Sequence, residues 1–398
     1  MTLFHPERHI HPEHDPWDPE RVRDWLRRWA AEALAVRARA HWPVHPRDRE
    51  DAGQAAGPYH TLYFGAAGVW IALIRLAAAG YCLLPAEPAE LFAGVLADYD
   101  RSPDIGVRVP SWFLGESAIL TACCLARRDP VLEDRLAAAI DQNRDNPTRE
   151  LLWGAPGTMI AALFLHEATG DERWARLFRA AADVLWDSWY FDPALGAWIW
   201  QQDLYGTRVP YVGAGHGWAG NLYPLWRGRF LLRDEQQTSL RERTLQGLRQ
   251  LAVVDGELAN WPPVAGLTAK MLVQWCHGAP GIITSLRHAE LPEALPLLLA
   301  GARLIVAAGP LTKGVSLCHG TDGNGAALLE IYRRTGDPVW LDHARAFAMV
   351  ALDQAEAEYR RHGQWRYSLW TGDAGLAWFL LDCLDGQSRG LPGFDVLL

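Results

Sequence analysis

The chain has 398 residues, of which 49% are hydrophobic and 21% are charged, a balance that is typical of a globular protein and excludes a disordered one. Its formal net charge of −9 argues against the basic surface that would neutralise phosphates, so neither nucleic acid nor an acidic membrane surface is expected as a partner. The sequence shows no apolar run of about 18 residues and no secretion signal, so we expect no membrane span and a cytoplasmic location.

Two polar segments near the N-terminus are predicted to be surface extensions of a single domain over residues 1–398. The first is the His- and Pro-rich stretch 1–16, and the second is HPRDREDAGQAAG over residues 45–57. Such segments offer little apolar surface to a core. Since no low-complexity linker divides the chain, we expect both segments to belong to that one domain.

A short motif recurs along the chain: a glycine, two residues, then a second glycine or an alanine. Its seven copies are Gly65/Gly68, Gly115/Ala118, Gly154/Gly157, Gly217/Gly220, Gly278/Gly281, Gly320/Gly323 and Gly372/Gly375. Each copy opens an apolar run, which predicts a helix whose first turn approaches a neighbour closely. Amphipathic runs between the copies, such as 171–189 and 338–360, predict partner helices.

Two copies of this repeat match over a longer stretch. Gly154, Gly157, Thr169, Gly170, Asp171 and Trp174 recur 166 residues later as Gly320, Gly323, Thr335, Gly336, Asp337 and Trp340. In the shared Thr-Gly-Asp sequence, the glycine is expected to end one helix and the aspartate to cap the next. The repeating unit is therefore a helix pair.

Seven helix pairs predict an all-α fold. We favour an α/α toroid, a closed double ring of seven helix pairs, because the glycine-led helices are almost wholly apolar and need neighbours on both sides. An open solenoid is the alternative. Two short segments, 196–206 and 363–372, are predicted to form β excursions at loop tips.

Six cysteines in so long a chain do not form a disulfide framework. Four of them lie inside apolar helical runs and are predicted to be packing residues: Cys82, Cys123, Cys124 and Cys383. Cys276 and Cys318 differ, because each stands directly before His-Gly at the start of a glycine motif.

In a ring, equivalent positions of neighbouring repeats converge on one rim. Cys276, Cys318 and His319 would then come together, and ligands of sulfur with nitrogen select zinc. Three protein ligands leave a fourth position open, as in catalytic zinc sites. The alternative is two capped helix starts with buried thiols.

Two further residues are expected on the same rim. His216, in GAGHGWAG, precedes the fourth glycine motif and is either a helix-start residue or a catalytic acid. Glu150, in ELLWGAPG, precedes the third motif and is either catalytic or an acid favoured by the helix dipole.

The motifs WCHGAPG, LCHG, GHGWAG and ELLWG together resemble the lanthionine synthetase C-like (LanC-like) family, and the resemblance covers residues 62–381. It implies an α/α toroid with one zinc ion held by Cys276, Cys318 and His319, and a catalytic histidine at His216. The ELLWG segment is similar to the eukaryotic-type members, whereas peptide cyclases of the family usually have an aspartate near Glu150.

The segment LTKGVSLCHG resembles the family pattern in which a lysine before the zinc Cys-His helps to bind glutathione. Lys313 matches that lysine. Arg361 or Arg366, just before YSLWTG, matches an arginine of the same site.

The chemistry implied is addition of a thiol, with glutathione as co-substrate, to dehydroalanine or dehydrobutyrine in a peptide or protein. Zinc would lower the pKa of the thiol, His216 would protonate the α-carbon, and His277 would contact the enolate. Elimination of phosphate from phosphoserine or phosphothreonine could come first, with Lys313 and an arginine binding the phosphate.

Three other functions remain open. A lanthipeptide cyclase would take the thiol from a cysteine of the same substrate peptide. A zinc- and glutathione-binding scaffold would show no turnover. An α/α-barrel carbohydrate enzyme would use some of the 20 tryptophans to stack on sugars and would need no zinc.

Overall fold

The structure is a computed structural model that describes residues 2–11, 16–39, 41–51 and 57–398. Residues 1 and 12–15 of the predicted N-terminal extension and residues 52–56 of the second polar segment lie outside the described part. The contacts divide the chain into two compact units. Unit 1 comprises Met1–Ile10, Pro110–Trp112 and Ala137–Gly309, and unit 2 comprises His11–Val109, Phe113–Leu136 and Pro310–Leu398. The single domain over 1–398 stays a prediction.

Helices dominate the described residues. In chain order they are α1 (Pro19–Val36), α2 (Pro46–Asp51), α3 (Ala66–Ala78), α4 (Pro88–Arg101), α5 (Ser117–Ala126), α6 (Pro130–Asn143), α7 (Ala155–Thr169), α8 (Glu172–Asp187), α9 (Trp218–Arg227), α10 (Asp234–Gln250), α11 (Ala279–Ser285), α12 (Leu295–Ala308), α13 (Thr321–Thr335), α14 (Pro338–His362) and α15 (Asp373–Asp385). Short 3-10 turns lie at Pro6–Arg8, Arg229–Leu231 and Pro292–Ala294. No helix among the described residues is long and apolar enough to span a bilayer.

Three small antiparallel hairpins belong to unit 1. They are β1 (Tyr190–Asp192) with β2 (Ala197–Ile199), β3 (Gln202–Leu204) with β4 (Thr207–Val209), and β5 (Val253–Asp255) with β6 (Leu258–Asn260). The predicted β excursion over 196–206 is confirmed, since it holds β2 and β3.

Each predicted glycine motif marks the start of a helix. The seven glycine-led helices are α3, α5, α7, α9, α11, α13 and α15. In six of them the first glycine is the residue that caps the helix, and α5 begins two residues after Gly115. Almost every residue of these helices is buried, as their apolar sequences predict.

The second glycine of the motif is required by a close backbone approach. At Gly157 an added Cβ would lie 2.3 Å from the carbonyl oxygen of Leu151, six residues earlier. The same contact, at 2.0–2.4 Å, recurs in the pairs Gly68–Leu62, Gly220–Ala214, Gly281–Trp275, Gly323–Leu317 and Gly375–Leu369. The loop before each of these helices therefore folds back beneath its first turn, where no side chain fits.

The same glycines pack against the neighbouring repeat within each unit. In unit 1, a Cβ at Gly220 would lie 3.3 Å from Leu151 Cβ, and one at Gly281 would lie 2.8 Å from Ala214 Cβ. The glycine-led helices of unit 1 thus follow one another as α7, α9 and α11. The corresponding contacts of Gly375 with Leu317 and of Gly68 with Leu369 give the order α13, α15 and α3 in unit 2. In each unit the helix starts, and the residues just before them, lie at one end.

The shared Thr-Gly-Asp sequence joins helix pairs as predicted. Gly170 and Gly336 end α7 and α13 in the left-handed conformation, with φ of 67° and 69°. Asp171 and Asp337 then cap α8 and α14 by accepting a backbone N–H two residues on, at 2.8 and 3.1 Å. Trp174 and Trp340 are buried behind these caps.

The predicted surface position of the N-terminal segment is wrong at Leu3 and His9, whereas its other described residues are exposed or half-buried. Leu3 and His9 are buried, because the segment satisfies polar groups of unit 1. Asn260 Nδ2 donates to the Leu3 carbonyl at 2.7 Å, and His9 Nδ1 lies 2.9 Å from the Gly309 carbonyl.

The second polar segment and the second β excursion also differ from prediction. Asp48, within the predicted surface stretch 45–57, is buried in an ion pair with Arg366 at 2.6 Å. The stretch 363–372 contains no strand, and residues 365–372 are all buried. Its backbone instead forms hydrogen bonds with neighbouring turns. The Trp370 carbonyl accepts from Cys318 N at 3.0 Å, and Trp370 N donates to the Tyr63 carbonyl at 3.2 Å.

Candidate functional site

The Glu150 carboxylate is fixed at the turn that leads into α7. The side chain is fully buried and accepts backbone N–H groups from Leu152 at 3.0 Å and from Trp153 at 2.6 Å. These two donors hold its two oxygens in place. Glu150 is therefore a positioned acceptor at the start of α7.

The residue before Glu150 has a strained backbone. Arg149 has a φ of 43°, a left-handed backbone conformation that residues other than glycine rarely adopt. Its carbonyl accepts from Asn221 Nδ2 of α9 at 2.9 Å and from Gln202 Nε2 of β3 at 3.4 Å. Strain of this kind persists only where surrounding contacts enforce it, and it concentrates at functional sites.

His216 contacts Glu150 directly. Its Nδ1 lies 2.9 Å from Glu150 Oε2, and 22% of its side chain is exposed. Because Nδ1 faces the carboxylate, Nε2 is the nitrogen available to a reacting group. Burial disfavours the charged ring, but the hydrogen bond and charge of Glu150, with Cys276 nearby, outweigh it and raise the pKa of His216 above its ordinary value.

Cys276 lies on a turn that packs against the loop carrying His216. Gly215 N donates to the Cys276 carbonyl at 3.3 Å. An added Cβ at Gly213 would lie 2.0 Å from that carbonyl oxygen, and one at Gly215 would lie 2.9 Å from Cys276 Cβ. Gly213 and Gly215 are thus what allows His216 to approach Cys276.

Gln274 supports the thiol from the same turn. Its Nε2 lies 2.9 Å from Cys276 Sγ, and its backbone pairs with that of His277 through two hydrogen bonds of 3.1 Å. A donor aimed at sulfur favours the thiolate. On the far side, Arg8 of the N-terminal segment donates to Gln274 Oε1 at 3.4 Å.

His277 is a neutral histidine beside this group. Burial, then the charges of His216 and Lys270, lower the pKa of His277 to about 3. Its ring centroid lies 6.1 Å from that of His216 and 6.0 Å from that of Tyr211. Its buried Nδ1 has no hydrogen-bond partner among the described residues. Unit 1 therefore brings Glu150, His216, Cys276 and His277 together.

Unit 2 holds the other residues of the predicted site. Cys318 is buried, and His319 N donates to Ser316 Oγ at 3.2 Å, immediately before α13. The Lys313 side chain is exposed, and its carbonyl accepts from Arg47 at 2.8 Å. The Arg47 guanidinium, from the predicted surface stretch, therefore lies beside the Lys313 backbone as a second cation.

The two candidate arginines have different environments. Arg361 is exposed on α14, where it pairs with Glu358. Arg366 is 4% exposed, and its guanidinium is paired with Asp48. Arg361 is thus open to solvent, whereas Arg366 already has a buried counter-ion.

The predicted metal ligands are divided between the units. Cys276 belongs to unit 1, and Cys318 and His319 belong to unit 2. The described residues contain no group of three His, Cys, Asp or Glu side chains that could hold a metal ion. The donor set of two thiols and an imidazole fits zinc, and the hydrogen bond at Cys276 Sγ suits a thiolate ligand.

Cys123 and Cys383 are buried on helices as predicted, whereas Cys82 is half-buried between α3 and α4 and not inside the helical run predicted for it. Burial raises the pKa of Cys82 to about 11 and that of Cys123 to about 12, and it raises the pKa of Cys383 well above its ordinary value. These thiols stay protonated at neutral pH, which agrees with the packing role predicted for them.

Comparison with known proteins gives the family of this fold and site. The model of the lanthionine synthetase C-like protein family matches residues 58–396. The chain belongs to this family.

Relatives with curated names support the same family. The chain is 29% identical over 280 residues to the glutathione S-transferase LANCL1 of Danio rerio, a match that covers 66% of this chain and 65% of the relative. It is 28% identical over 286 residues to the LanC-like protein GCL1 of Arabidopsis thaliana, covering 66% of this chain and 61% of that one. The matches thus span somewhat less than two thirds of these relatives.

The solved structure of a nisin cyclase is similar to this LanC-like protein over most of both chains. The TM-score is 0.58 at 14% identity, and the match covers 91% of this chain and 94% of the cyclase. At this identity the likeness concerns the fold alone. It confirms the predicted fold class, an all-α α/α toroid.

Several residues of this LanC-like site are not apparent in the sequence. Gln202, Asn221, Gln274 and Arg47 act through contacts with residues that are mostly distant along the chain. Only Gln274 carries a local signal, since it lies two residues before Cys276. For the others, no spacing or motif indicates which face of the fold they meet.

Proposed function

We propose that this protein forms a C–S bond between a thiol, with glutathione the favoured one, and the β-carbon of dehydroalanine or dehydrobutyrine in a peptide or protein. The observation that carries the proposal is the Glu150–His216 pair beside Cys276. It places a histidine with a raised pKa next to a thiol of the predicted ligand set. The Danio rerio relative is named a glutathione S-transferase, which supports glutathione as the thiol.

The zinc ligands remain those implied by the family: Cys276, Cys318 and His319. A zinc ion bound there would lower the pKa of an incoming thiol, so that thiolate is available at neutral pH. Gln274 holds the Cys276 sulfur in the orientation that such a ligand needs.

The proton-transfer step falls to His216. As the thiolate sulfur attacks the β-carbon, the π electrons of the alkene move to the α-carbon and its carbonyl as an enolate. His216 Nε2–H then donates its proton to the α-carbon. Glu150 keeps the ring charged and oriented before this step, and solvent returns the proton afterwards.

Neutral His277 lies on the same side of the site as His216. Because its pKa is lowered to about 3, its ring can donate one hydrogen bond to the enolate oxygen without competing as an acid. The exposed Lys313 offers a cation for a glutathione carboxylate or for phosphate eliminated from phosphoserine or phosphothreonine. Arg47, which also pairs with Glu358 at 3.5 Å, lies beside the Lys313 backbone as a second cation. Arg361 is the more accessible candidate for a third cation, since Arg366 is paired with Asp48.

A mass assay tests the proposal. The protein is incubated with glutathione and a dehydroalanine peptide, and the expected product carries the mass of one added glutathione. His216→Asn should abolish this gain, whereas His166→Asn, near the end of α7, should retain it as the matched control. No gain with the wild type overturns the enzymatic proposal and leaves the scaffold function. Gain only in peptides that carry their own cysteine, without glutathione, would indicate a cyclase.

Metal analysis tests the ligand set independently. We expect about one zinc per chain in the wild type and in Cys82→Ser. Cys276→Ser and Cys318→Ser should lose it. Zinc-free wild type that retains full glutathione addition would contradict the metal part of the proposal. A wild type that holds no zinc and adds no glutathione would favour the carbohydrate-enzyme alternative.

A further inference from the structure

The turn between β3 and β4 holds an aromatic residue in an unfavourable conformation. Leu204 pairs with Thr207, so Tyr205 and Gly206 form a two-residue loop, with φ of 53° and 75°. Positive φ at both positions is the mark of a type I′ turn, which favours asparagine, aspartate or glycine at its first position. Tyrosine is disfavoured there by its Cβ, and nothing in the hairpin itself requires it.

Tyr205 is also the most exposed aromatic side chain among the large hydrophobic residues described. It is 77% exposed, and its hydroxyl accepts a hydrogen bond from Trp153 Nε1 at 3.3 Å. Trp153 is half-buried, and its backbone N–H is one of the donors to Glu150. The exposed ring is therefore linked to the carboxylate of the proposed site through a single residue.

The hairpin is anchored to the site at its base. Gln202 Oε1 accepts from Tyr211 N at 2.8 Å, and Gln202 Nε2 donates to the strained Arg149 carbonyl at 3.4 Å. Asp203 N donates to the Pro147 carbonyl at 3.1 Å. Since these contacts fix both sides of the turn before Glu150, the position of Tyr205 relative to Glu150 is set by the fold.

We propose that Tyr205 and Trp153 form an apolar wall that binds the aromatic or large aliphatic side chain next to the dehydroamino acid of a peptide substrate. This inference rests on the proposed function and names the substrate class that the site selects. Aromatic faces bind apolar side chains, and their rigid rings lose little entropy in doing so. The strained turn is retained because it holds the ring beside the site.

Charge favours a peptide side chain over an anionic ligand on this wall. Partial shielding of the Tyr205 hydroxyl from water and the nearby Glu150 carboxylate raise the pKa of this phenol, even though the Trp153 hydrogen bond works in the other direction. The same negative charge disfavours the carboxylates of glutathione or a phosphate at this position. The wall therefore belongs to the peptide and not to the thiol.

The test compares two dehydroalanine peptides that differ only in one flanking residue, phenylalanine or serine. The wild type should prefer the phenylalanine peptide by about fivefold in KM, the scale of one aromatic contact. Tyr205→Asn should reduce this ratio to about one. Tyr205→Phe, which keeps the ring, should retain the preference. Tyr190→Asn, which removes another exposed tyrosine of unit 1, is the matched control and should also retain it.

Folding and turnover are separated from recognition by two further measurements. Asparagine suits a positive φ, so Tyr205→Asn should melt at or above the wild-type temperature. Binding of unreactive peptides, with alanine in place of dehydroalanine, is measured by fluorescence anisotropy of a labelled peptide. A preference for phenylalanine that is lost only in Tyr205→Asn supports the wall even if no turnover occurs and the proposed function fails. An unchanged preference in Tyr205→Asn, or equal binding of both peptides by the wild type, overturns the wall.

Discussion

Nδ1 of His216 lies 2.9 Å from Oε2 of Glu150, although 66 residues separate the two along the chain. Glu150 is itself held by two backbone N–H groups, so the imidazole is oriented by a carboxylate that cannot turn away. The contact both points Nε2 away from Glu150 and favours the protonated ring, because it raises the pKa of His216. A proton donor needs both properties.

Glu150→Gln should lower the pKa of His216. Glutamine keeps the shape of the side chain but removes the negative charge that raises this pKa. If protonated His216 is the acid, activity falls as pH rises through its pKa, and the alkaline limb of kcat/KM should move to lower pH in the variant. The His216 resonance, assigned with His216→Asn, gives the same shift by NMR titration. An unchanged pKa would show that Glu150 has no electrostatic role.

The same variant should change the pH dependence of stability. The folded-state pKa of His216 is raised, so its ion pair stabilises the fold fully below the unfolded value of 6.5, and this contribution is lost as pH rises through the folded pKa. In Glu150→Gln the free energy of unfolding should depend less on pH in that window. Urea unfolding of both proteins at several pH values measures the difference.

Gly213→Ala should displace the Cys276 turn. The added methyl group would lie 2.0 Å from the Cys276 carbonyl oxygen, which leaves backbone movement as the only relief. We expect a stability loss of about 1–3 kcal/mol, as for other overpacked sites, and weaker zinc binding. Gly256→Ala, whose Cβ meets no atom within 4 Å but whose φ of 59° strains any residue other than glycine, is the control for stability loss without movement of the Cys276 turn. Equal zinc affinity in both variants would contradict the proposed placement of Cys276.

Gln274→Leu should weaken zinc binding about tenfold, the usual cost of removing a group that orients a metal ligand. Leucine has a similar volume but cannot donate to Cys276 Sγ. Competition with a chelator measures the affinity. In the zinc-free protein, alkylation of Cys276 should be slower in the variant, because its thiolate has lost a donor. Gln237→Leu, on α10, controls for loss of a surface amide.

Asp373→Asn should flatten the pH dependence of stability. Burial raises the pKa of Asp373 to about 8, far above the ordinary range of an aspartate. The folded chain therefore holds a proton that the unfolded chain releases in this window, so the free energy of unfolding falls as pH rises from about 4 to about 8. The variant lacks this group and should lose that part of the slope, whereas Asp342→Asn, exposed on α14, should not.

Local patterns predicted much of the fold. The starts of the glycine-led helices and the Thr-Gly-Asp caps follow from the sequence because they depend on residues within one or two turns of each other. Residues 363–372 alternate as in a hairpin, but the β excursion predicted there is wrong. Their backbone instead bonds to turns near Tyr63 and Cys318, which are remote in sequence.

The sequence by itself determined the family motifs, the seven helix starts and the candidate site residues from Glu150 to His319. The tertiary structure decided that Glu150 orients His216, that Gln274 supports Cys276 and that Leu3 and His9 are buried. It also decided that Tyr205 lies beside the Glu150 turn. Helix starts are set by nearby residues, whereas these contacts depend on how separate repeats pack, and no single stretch of sequence encodes that packing.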